Sequence, residues 1–147
     1  MIFQKYSGNK AFTLTEILLV IIIIGVLAGM VIPNLAGKSK EARIAAAKAD
    51  IEANLAVALD MYELDNGAYP TTSQGLKALV HKPSEPPEPV NWNRAYLKKR
   101  VVPKDPWKNE YVYESPGTHN PDGYDLSSLG PDGVKSADDI TNWQTDS

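Results

Sequence analysis

Residues 12–32 read F-T-L-T-E-I-L-L-V-I-I-I-I-G-V-L-A-G-M-V-I, an almost wholly apolar stretch with one charged side chain, Glu16. As an α-helix, these 21 residues, at about 1.5 Å each, extend about 31 Å, which is close to the thickness of a bilayer core. An apolar helix of this length suits a membrane or the core of a fibre. We therefore expect the rest of the chain to be carried by it.

The residues before this apolar stretch allow three interpretations of it. Residues 1–11 contain Lys5 and Lys10 and no acid, so they are expected to stay in the cytoplasm. The stretch is then a secretory signal cleaved after Ala28, a signal anchor that is retained, or a helix kept in the mature chain after cleavage before Phe12.

Glu16 bears on this choice. A carboxylate within a membrane segment costs about 2.5–3.5 kcal/mol at the bilayer centre, and a signal that is discarded has no evident need for it. One interpretation is an acid at a helix N-terminus, where the helix dipole stabilises negative charge. The other is that cleavage between Ala11 and Phe12 creates an α-amino group. That amine would pair with Glu16 of a neighbouring chain and set the register of assembly.

The helix is expected to change character after Pro33. Proline lacks a backbone donor and glycine is a weak helix former, which predicts a local melt or kink between Gly29 and Gly37. Residues 37–66 then form an amphipathic half that ends at Asn66-Gly67. We expect its buried face to contain Ile44, Ile51, Leu55, Leu59 and Tyr62, widened by Val57, Met61 and Leu64. A helix from residue 12 to about residue 65 is about 80 Å long, so its first half is expected to project from the globular part.

Residues 67–147 form the predicted globular region. Residues 74–81 are expected to form a short helix, and residues 82–89, with four prolines in eight positions, an extended loop. Residues 110–114 and 124–128 alternate well enough for strands. The prediction is an α+β fold in which two or three short antiparallel strands pack on the C-terminal half of the long helix.

Composition argues against several classes of function. The net charge is -3 and the pI about 5.3, so nucleic acid is not the expected partner. The chain has no Cys, and hence no disulfide framework, thiolate nucleophile or Cys-based metal site. His81 and His119 are interpreted as surface residues, and no nucleophile elbow, phosphate-binding loop or zincin motif is present. We predict that the protein is not an enzyme; the enzymatic alternative is a secreted hydrolase with Asp132 and Asp138 as paired carboxylates.

The end of the chain is acidic. Residues 120–147 contain six acids and one base. Within them, residues 129–139 read L-G-P-D-G-V-K-S-A-D-D, a tight loop with carboxylates at both ends. Hard oxygen ligands of this kind suit Ca²⁺, and suit Mg²⁺ less well because Mg²⁺ demands stricter octahedral geometry. The spacing is not that of an EF-hand, so a calcium site and a solvated acidic loop both stay open at this point.

The motif K-A-F-T-L-T-E at Lys10–Glu16, followed by the apolar run, resembles the class III signal of type IV pilins and pseudopilins. The resemblance implies that a prepilin peptidase cuts between Ala11 and Phe12 and N-methylates Phe12. Two positions depart from the commonest pattern, since Ala11 stands where glycine is usual and Thr15 where an aliphatic residue is usual.

Four later segments extend the resemblance over nearly all of the chain after the leader: Leu59–Val80, Pro103–Trp107 (P-K-D-P-W), Ser115–Gly117 (S-P-G) and Ser128–Gly133 (S-L-G-P-D-G). In this order they are similar to the major pseudopilin of the type II secretion system, the general secretion pathway protein G family. Pilins of surface fibres often close a C-terminal loop with two cysteines, and their absence favours the pseudopilin.

The resemblance implies one bound Ca²⁺ in the acidic loop, with a structural role. It assigns side-chain ligands to Asp132, Asp138 and Asp139. The main-chain oxygens of Leu129 and Val134, with an oxygen of Ser136, complete the implied shell.

The resemblance also implies the function. It divides the chain into a cleaved cytoplasmic leader (1–11), a transmembrane and fibre-core helix (12–36), an amphipathic half-helix (37–66) and a periplasmic globular region (67–147). A single-pass inner-membrane protein would leave the bilayer and join a helical homopolymer, the periplasmic pseudopilus, which drives exoproteins across the outer membrane. The implied partners are other copies, minor pseudopilins, the prepilin peptidase and an inner-membrane assembly platform. The alternative is a type IV pilin or competence pseudopilin of a surface or DNA-uptake fibre.

Overall fold

The computed structural model describes residues 12–144, with side-chain positions for residues 12–29 and 37–144. The predicted leader, residues 1–11, lies outside the described residues. The chain divides into two units between Ser39 and Lys40. The helices are α1 (Leu14–Ala49), a π-helical segment (Asp50–Leu55), α2 (Ala56–Asn66) and a 3₁₀ helix (Leu76–Leu79). The strands are β1 (Val112–Glu114), β2 (Asp125–Ser128) and β3 (Ile140–Thr141).

The described side chains of the first unit are exposed. Every side chain from Phe12 to Gly29 is exposed, on all sides of α1. Among the residues that the structure describes, no helix combines the length and the hydropathy needed to cross a membrane.

The backbone of α1 is helical through Pro33 and Gly37. The predicted local melt between Gly29 and Gly37 is therefore wrong, and the alternative, a kink in a continuous helix, stays a prediction. Proline removes one backbone donor, but it is followed as well as preceded by residues that continue the helix, and the loss of a single hydrogen bond does not end it.

The irregular part of the helix lies later, in the π-helical segment Asp50–Leu55. The buried residues Ala47, Ile51, Leu55 and Leu59 are four apart, and in a helix of 3.6 residues per turn each such step drifts by about 40°. The wider i→i+5 turn offsets this drift and keeps them on one face. Asp50 also holds the segment to the chain before β1, because Tyr111 Oη donates to its Oδ2 at 2.9 Å. Burial, and then this hydrogen bond, raise the pKa of Tyr111, so the phenol stays a donor.

The core of the second unit lies between this helical face and the sheet. Ile51, Leu55 and Leu59 are fully buried, and Leu79 and Leu126 meet them from the 3₁₀ helix and from β2. The predicted buried face is correct for Ile51, Leu55, Leu59 and Tyr62. It is wrong for Ile44, Val57, Met61 and Leu64, which are 36%, 55%, 48% and 84% exposed.

The C-terminal end of α2 matches the sequence prediction. Gly67 has φ 80°, in the left-handed region that glycine enters at little cost, and its N–H bonds to the Glu63 carbonyl at 2.6 Å. The helix therefore stops at Asn66, as the Asn-Gly pair predicted.

The three strands form one antiparallel sheet in the order β1-β2-β3. Tyr113 lies opposite Leu126, and Ser128 lies opposite Ile140. β1 and β2 lie within the two predicted strand segments, and the α+β prediction of helices with a small antiparallel sheet is confirmed. β3 was not predicted, because two residues are too few to show an alternating pattern.

A buried carboxylate closes the turn between β1 and β2. Asp125 is 5% exposed, and it accepts from the backbone N–H groups of His119 and Asn120 at 2.8 and 3.0 Å. The His119 ring lies 2.8 Å from Asp125 Oδ2 and stacks on Trp143. A side chain on Gly117 would overlap Asp125, since its Cβ would lie 2.8 Å from the Asp125 nitrogen. His119 is on the surface, as predicted, and is also engaged in this turn.

Acid is expected to destabilise the second unit through Asp125. Burial raises the pKa of Asp125, but the hydrogen bonds from His119 and then Asn120 outweigh burial and hold it below its usual value. Ionised Asp125 therefore stabilises the folded unit fully above the ordinary aspartate pKa, about 3.9. This stabilisation is lost as the pH falls through the lower pKa that Asp125 has in the folded state. Asp125→Asn should cost about 1–3 kcal/mol at neutral pH and flatten the acid limb of a stability–pH curve from thermal melts. The exposed control Glu110→Gln should change neither, and an unaltered acid limb in Asp125→Asn would contradict the prediction.

Candidate functional site

Two glycines shape the acidic loop that follows β2. Gly130 and Gly133 have φ values of 65° and 68°, a region that disfavours other residues. Between them, Asp132 Oδ1 accepts from the Val134 N–H at 3.1 Å. The chain therefore reverses sharply after Leu129 and returns towards the residues before β3.

The loop brings two of the predicted ligands together at a third. The Ser136 hydroxyl lies 3.2 Å from Asp132 Oδ2 and is also hydrogen-bonded to Asp138 Oδ1. A hydroxyl has one proton, so it donates to only one of the two carboxylates at a time. Asp139 accepts instead from the Ser136 N–H, at 3.2 Å. Within the described part of the chain, none of these carboxylates lies within 4.0 Å of a basic group.

This donor set fits a hard cation such as Ca²⁺. Two carboxylates and a hydroxyl converge, and like charges at one hydroxyl are stabilised when a cation lies between them. The returning chain leaves little room for a side chain at Gly130, whose Cβ would lie 3.2 Å from the Asp138 carbonyl oxygen and 3.3 Å from its Oδ2. Within residues 12–144, no three His, Cys, Asp or Glu side chains are grouped to hold a metal. A calcium shell here would therefore need main-chain oxygens, as the resemblance implies for Leu129 and Val134.

A buried polar network anchors the beginning of the loop. Asp105, 4% exposed, accepts from the Ser128 hydroxyl at 2.6 Å, and Asn109 Nδ2 donates to the Gly130 carbonyl at 3.0 Å. Sequence reasoning did not identify Asp105, Asn109 or Ser128 as site residues. The available signal was that two segments of the family resemblance, P-K-D-P-W and S-L-G-P-D-G, contain Asp105 and Ser128.

At the other end of the described chain, Thr13 and Glu16 cap α1 reciprocally. The Thr13 hydroxyl accepts from the Glu16 N–H at 3.2 Å, and Glu16 Oε2 accepts from the Thr13 N–H at 3.4 Å. This T-x-x-E arrangement is a capping box. The Glu16 side chain is exposed and Phe12 is 78% exposed, so both are accessible to a neighbouring molecule. Ala11, the other predicted processing residue, lies outside the described residues.

The fold and the N-terminal residues define a class, that of proteins with a prokaryotic N-terminal methylation motif. The model of that motif matches residues 6–32, and the family model described as type II secretion system (T2SS), protein G matches residues 34–143. Since the second match covers most of the chain, the chain belongs to the type II secretion system protein G family.

Individual proteins agree. The type II secretion system core protein G of Pseudomonas aeruginosa is 51% identical over 140 residues, which cover 92% of this chain and 95% of that one. The corresponding proteins of Escherichia coli K12 and Vibrio cholerae are 53% and 46% identical, over 92% and 95% of this chain and 91% and 95% of their own. The crystal structure of the major pseudopilin from the type 2 secretion system of enterohaemorrhagic E. coli matches with a TM-score of 0.65 and 44% identity, over 76% of this chain and 95% of that chain.

These comparisons confirm the family that the sequence motifs predicted. They do not favour the alternative, a type IV pilin or competence pseudopilin. Members of this family are structural subunits of a secretion system, which agrees with the prediction of a non-enzymatic role.

Proposed function

We propose that this protein is the major structural subunit of the periplasmic pseudopilus of a type II secretion system. Its N-terminal helix would polymerise, and the growing fibre would drive exoproteins across the outer membrane. The observation that carries the proposal is the contrast between the two units. Residues 40–144 bury a core of their own, whereas the apolar side chains of residues 12–29 are all exposed in the single chain.

A helix with apolar side chains on all sides must be shielded from water by other molecules. A helix that is apolar all round is buried, in a protein core or in a membrane, and burial stabilises by about 25 cal/mol per Å² of apolar surface. Before assembly the cover would be the inner membrane, with the globular unit in the periplasm. After assembly it would be the N-terminal helices of other copies. Extraction by a platform and an assembly ATPase would connect the two states.

Processing would supply the charge that makes this exchange specific. Cleavage by a prepilin peptidase between Ala11 and Phe12 would free the α-amino group of the exposed Phe12, and the same enzyme would then N-methylate it. That group would meet the Glu16 carboxylate of the next copy in an environment with little water, where an isolated charge is costly and a pair is tolerated. Minor pseudopilins would use the same contacts where they join the fibre.

Calcium would hold the C-terminal end of the globular unit together. The convergence of Asp132 and Asp138 at the Ser136 hydroxyl supports the proposal, because Ca²⁺ replaces a repulsion between carboxylates by two attractive contacts. Asp139 and the main-chain oxygens of Leu129 and Val134 would complete the shell. The role would be structural, with metal binding coupled to the folding of this loop.

Deleting the protein from its host bacterium is expected to stop the appearance of exoproteins in the medium. The reason is that an export fibre without its main subunit does not grow. The measurement is exoprotein activity in culture supernatants, compared with the activity retained in the periplasm, and expression of the chain in trans is the control that restores it. Normal secretion with loss of DNA uptake or of surface fibres would contradict the proposal and favour the alternative.

A further inference from the structure

The segment before β1 contains a buried carboxylate that needs an explanation. Asp105 is 4% exposed, and its Oδ1 accepts from the backbone N–H groups of Trp107 and Asn109 at 3.0 and 2.7 Å. A buried charge is costly unless it is hydrogen-bonded, and within the described residues no basic group forms an ion pair with Asp105. These two hydrogen bonds fix the local turn through Oδ1, and Oδ2 is left to accept a hydrogen bond from elsewhere in the unit.

Oδ2 of Asp105 reaches the acidic loop through a fully buried serine. The Ser128 hydroxyl donates to it at 2.6 Å and accepts from the Gly130 N–H at 3.2 Å. The Ser128 hydroxyl has a single proton to donate. The Ser128 proton must therefore point at Asp105, and its lone pairs stay open to Gly130.

The same segment holds the other polar group of Gly130. Asn109 Nδ2 donates to the Gly130 carbonyl at 3.0 Å, and the Asn109 backbone is itself bonded to Asp105 at its N–H and, through the Asp105 N–H, at its carbonyl. Both backbone polar groups of Gly130 are thus fixed by residues 105–109, one directly and one through Ser128.

Gly130 is the place where the two ends of the loop meet. A Cβ there would lie 3.2 Å from the Asp138 carbonyl oxygen and 3.3 Å from its Oδ2. The position of Gly130 therefore limits how closely Asp138 approaches Leu129 and the remainder of the loop. A shift of a few tenths of an ångström at Gly130 therefore changes its distances to the carbonyl and carboxylate oxygens of Asp138.

We propose that Asp105 is a positioning residue for the calcium loop. Through Ser128, and together with Asn109, its carboxylate orders the backbone at Gly130 before metal binds. This inference rests on the calcium site proposed above. Residues that orient metal ligands without touching the metal typically change metal affinity 10–100-fold when mutated, and we expect an effect of that size.

The test is a calcium titration of Asp105→Asn in the full-length processed chain, in detergent. All three tryptophans of the chain, Trp92, Trp107 and Trp143, lie beyond residue 40, so their fluorescence reports on this unit even in the intact protein. An asparagine amide would donate to Ser128 and leave the Ser128 proton without its acceptor. Calcium affinity should fall by about 10-fold or more, and isothermal titration gives the same constant independently.

The matched control is Tyr113→Phe. Tyr113 Oη donates to the Pro70 carbonyl at 2.7 Å, and this buried hydrogen bond involves no residue of the acidic loop. Its loss should lower the melting temperature of the metal-free unit and leave the calcium affinity unchanged. If Tyr113→Phe and Asp105→Asn lower affinity equally, Asp105 has only a general structural role.

Ser128→Ala provides a second variant if Asp105→Asn fails to fold. It removes the relay without placing a new donor beside the carboxylate, and it should weaken calcium binding in the same way. The double variant should lose less affinity than the sum of the two single losses, because both act through one contact. Wild-type affinity in Ser128→Ala, or in a folded Asp105→Asn, would overturn the positioning role alone. Absence of calcium binding by the wild-type chain would overturn the calcium site together with it.

Discussion

Glu16→Gln is expected to abolish assembly of the fibre while processing at Phe12 and insertion into the membrane continue. The substitution is chosen because glutamine also serves at the third position of a capping box, so the reciprocal bonds with Thr13 and the start of α1 are kept. Only the charge is lost. In the fibre core the α-amino group of a neighbouring Phe12 would then be left without a partner. Breaking a buried pair in this way costs about 3–5 kcal/mol, or about two orders of magnitude or more in the association constant.

The measurement is the yield of fibres sheared from cells or sedimented from detergent extracts, with the intact mass of the monomer determined in parallel. Thr13→Ala is the matched control, because it removes the cap and keeps the carboxylate, and it should assemble. The mass should correspond to a chain that begins at methylated Phe12 in both variants. Wild-type yield from Glu16→Gln, or equal loss in Thr13→Ala, would refute charge pairing and leave Glu16 as a helix-capping residue.

Local patterns predicted the parts of the fold that depend on neighbours in sequence. Gly67 ends α2 because only its own backbone conformation is involved, and the segments around Tyr113 and Leu126 alternate as strands must. Period alone could not decide which apolar residues of α2 are covered. Met61 and Leu64 are apolar like Leu59, but they lie on a side of the helix that stays exposed. The π-helical segment was not predicted for a related reason. Buried residues four apart occur in an ordinary α-helix as well, so their spacing does not distinguish the two helix types.

In the candidate site, too, only the contacts between residues close in sequence could be predicted. The carboxylates of the acidic loop are close in sequence, so their convergence at Ser136 could be foreseen from a short segment and the family resemblance. The support beneath the loop could not, since Asp105 and Ser128 are 23 residues apart and meet only in the folded unit. Neither a buried aspartate nor a buried serine has a periodic signature. Such contacts become visible only when tertiary structure brings the P-K-D-P-W segment under β2.

Calcium is expected to raise the melting temperature of the second unit by about 10 °C or more. A ligand present at a hundred times its dissociation constant stabilises by about 2.7 kcal/mol, and each kcal/mol shifts the melting temperature of a unit of this size by about 4–8 °C. Tryptophan fluorescence in the processed full-length chain follows this transition. Chelation should reverse the shift and speed proteolysis of the loop, and Mg²⁺ at equal concentration should have a much smaller effect because it demands stricter geometry.

Asp132→Asn separates a calcium site from a solvated acidic loop by the sign of its effect. With calcium present the variant should melt well below the wild type, because one ligand charge is lost. With chelator present it should melt at the same temperature or slightly higher, since an amide in place of Asp132 relieves the repulsion with Asp138 and still bonds to Ser136 and Val134. Asp122→Asn, an exposed change outside the loop, should alter neither value. If wild type and Asp132→Asn melt alike in calcium and in chelator, the loop holds no structural cation, and its carboxylates are held close by the Ser136 contacts and the backbone of Gly130 alone.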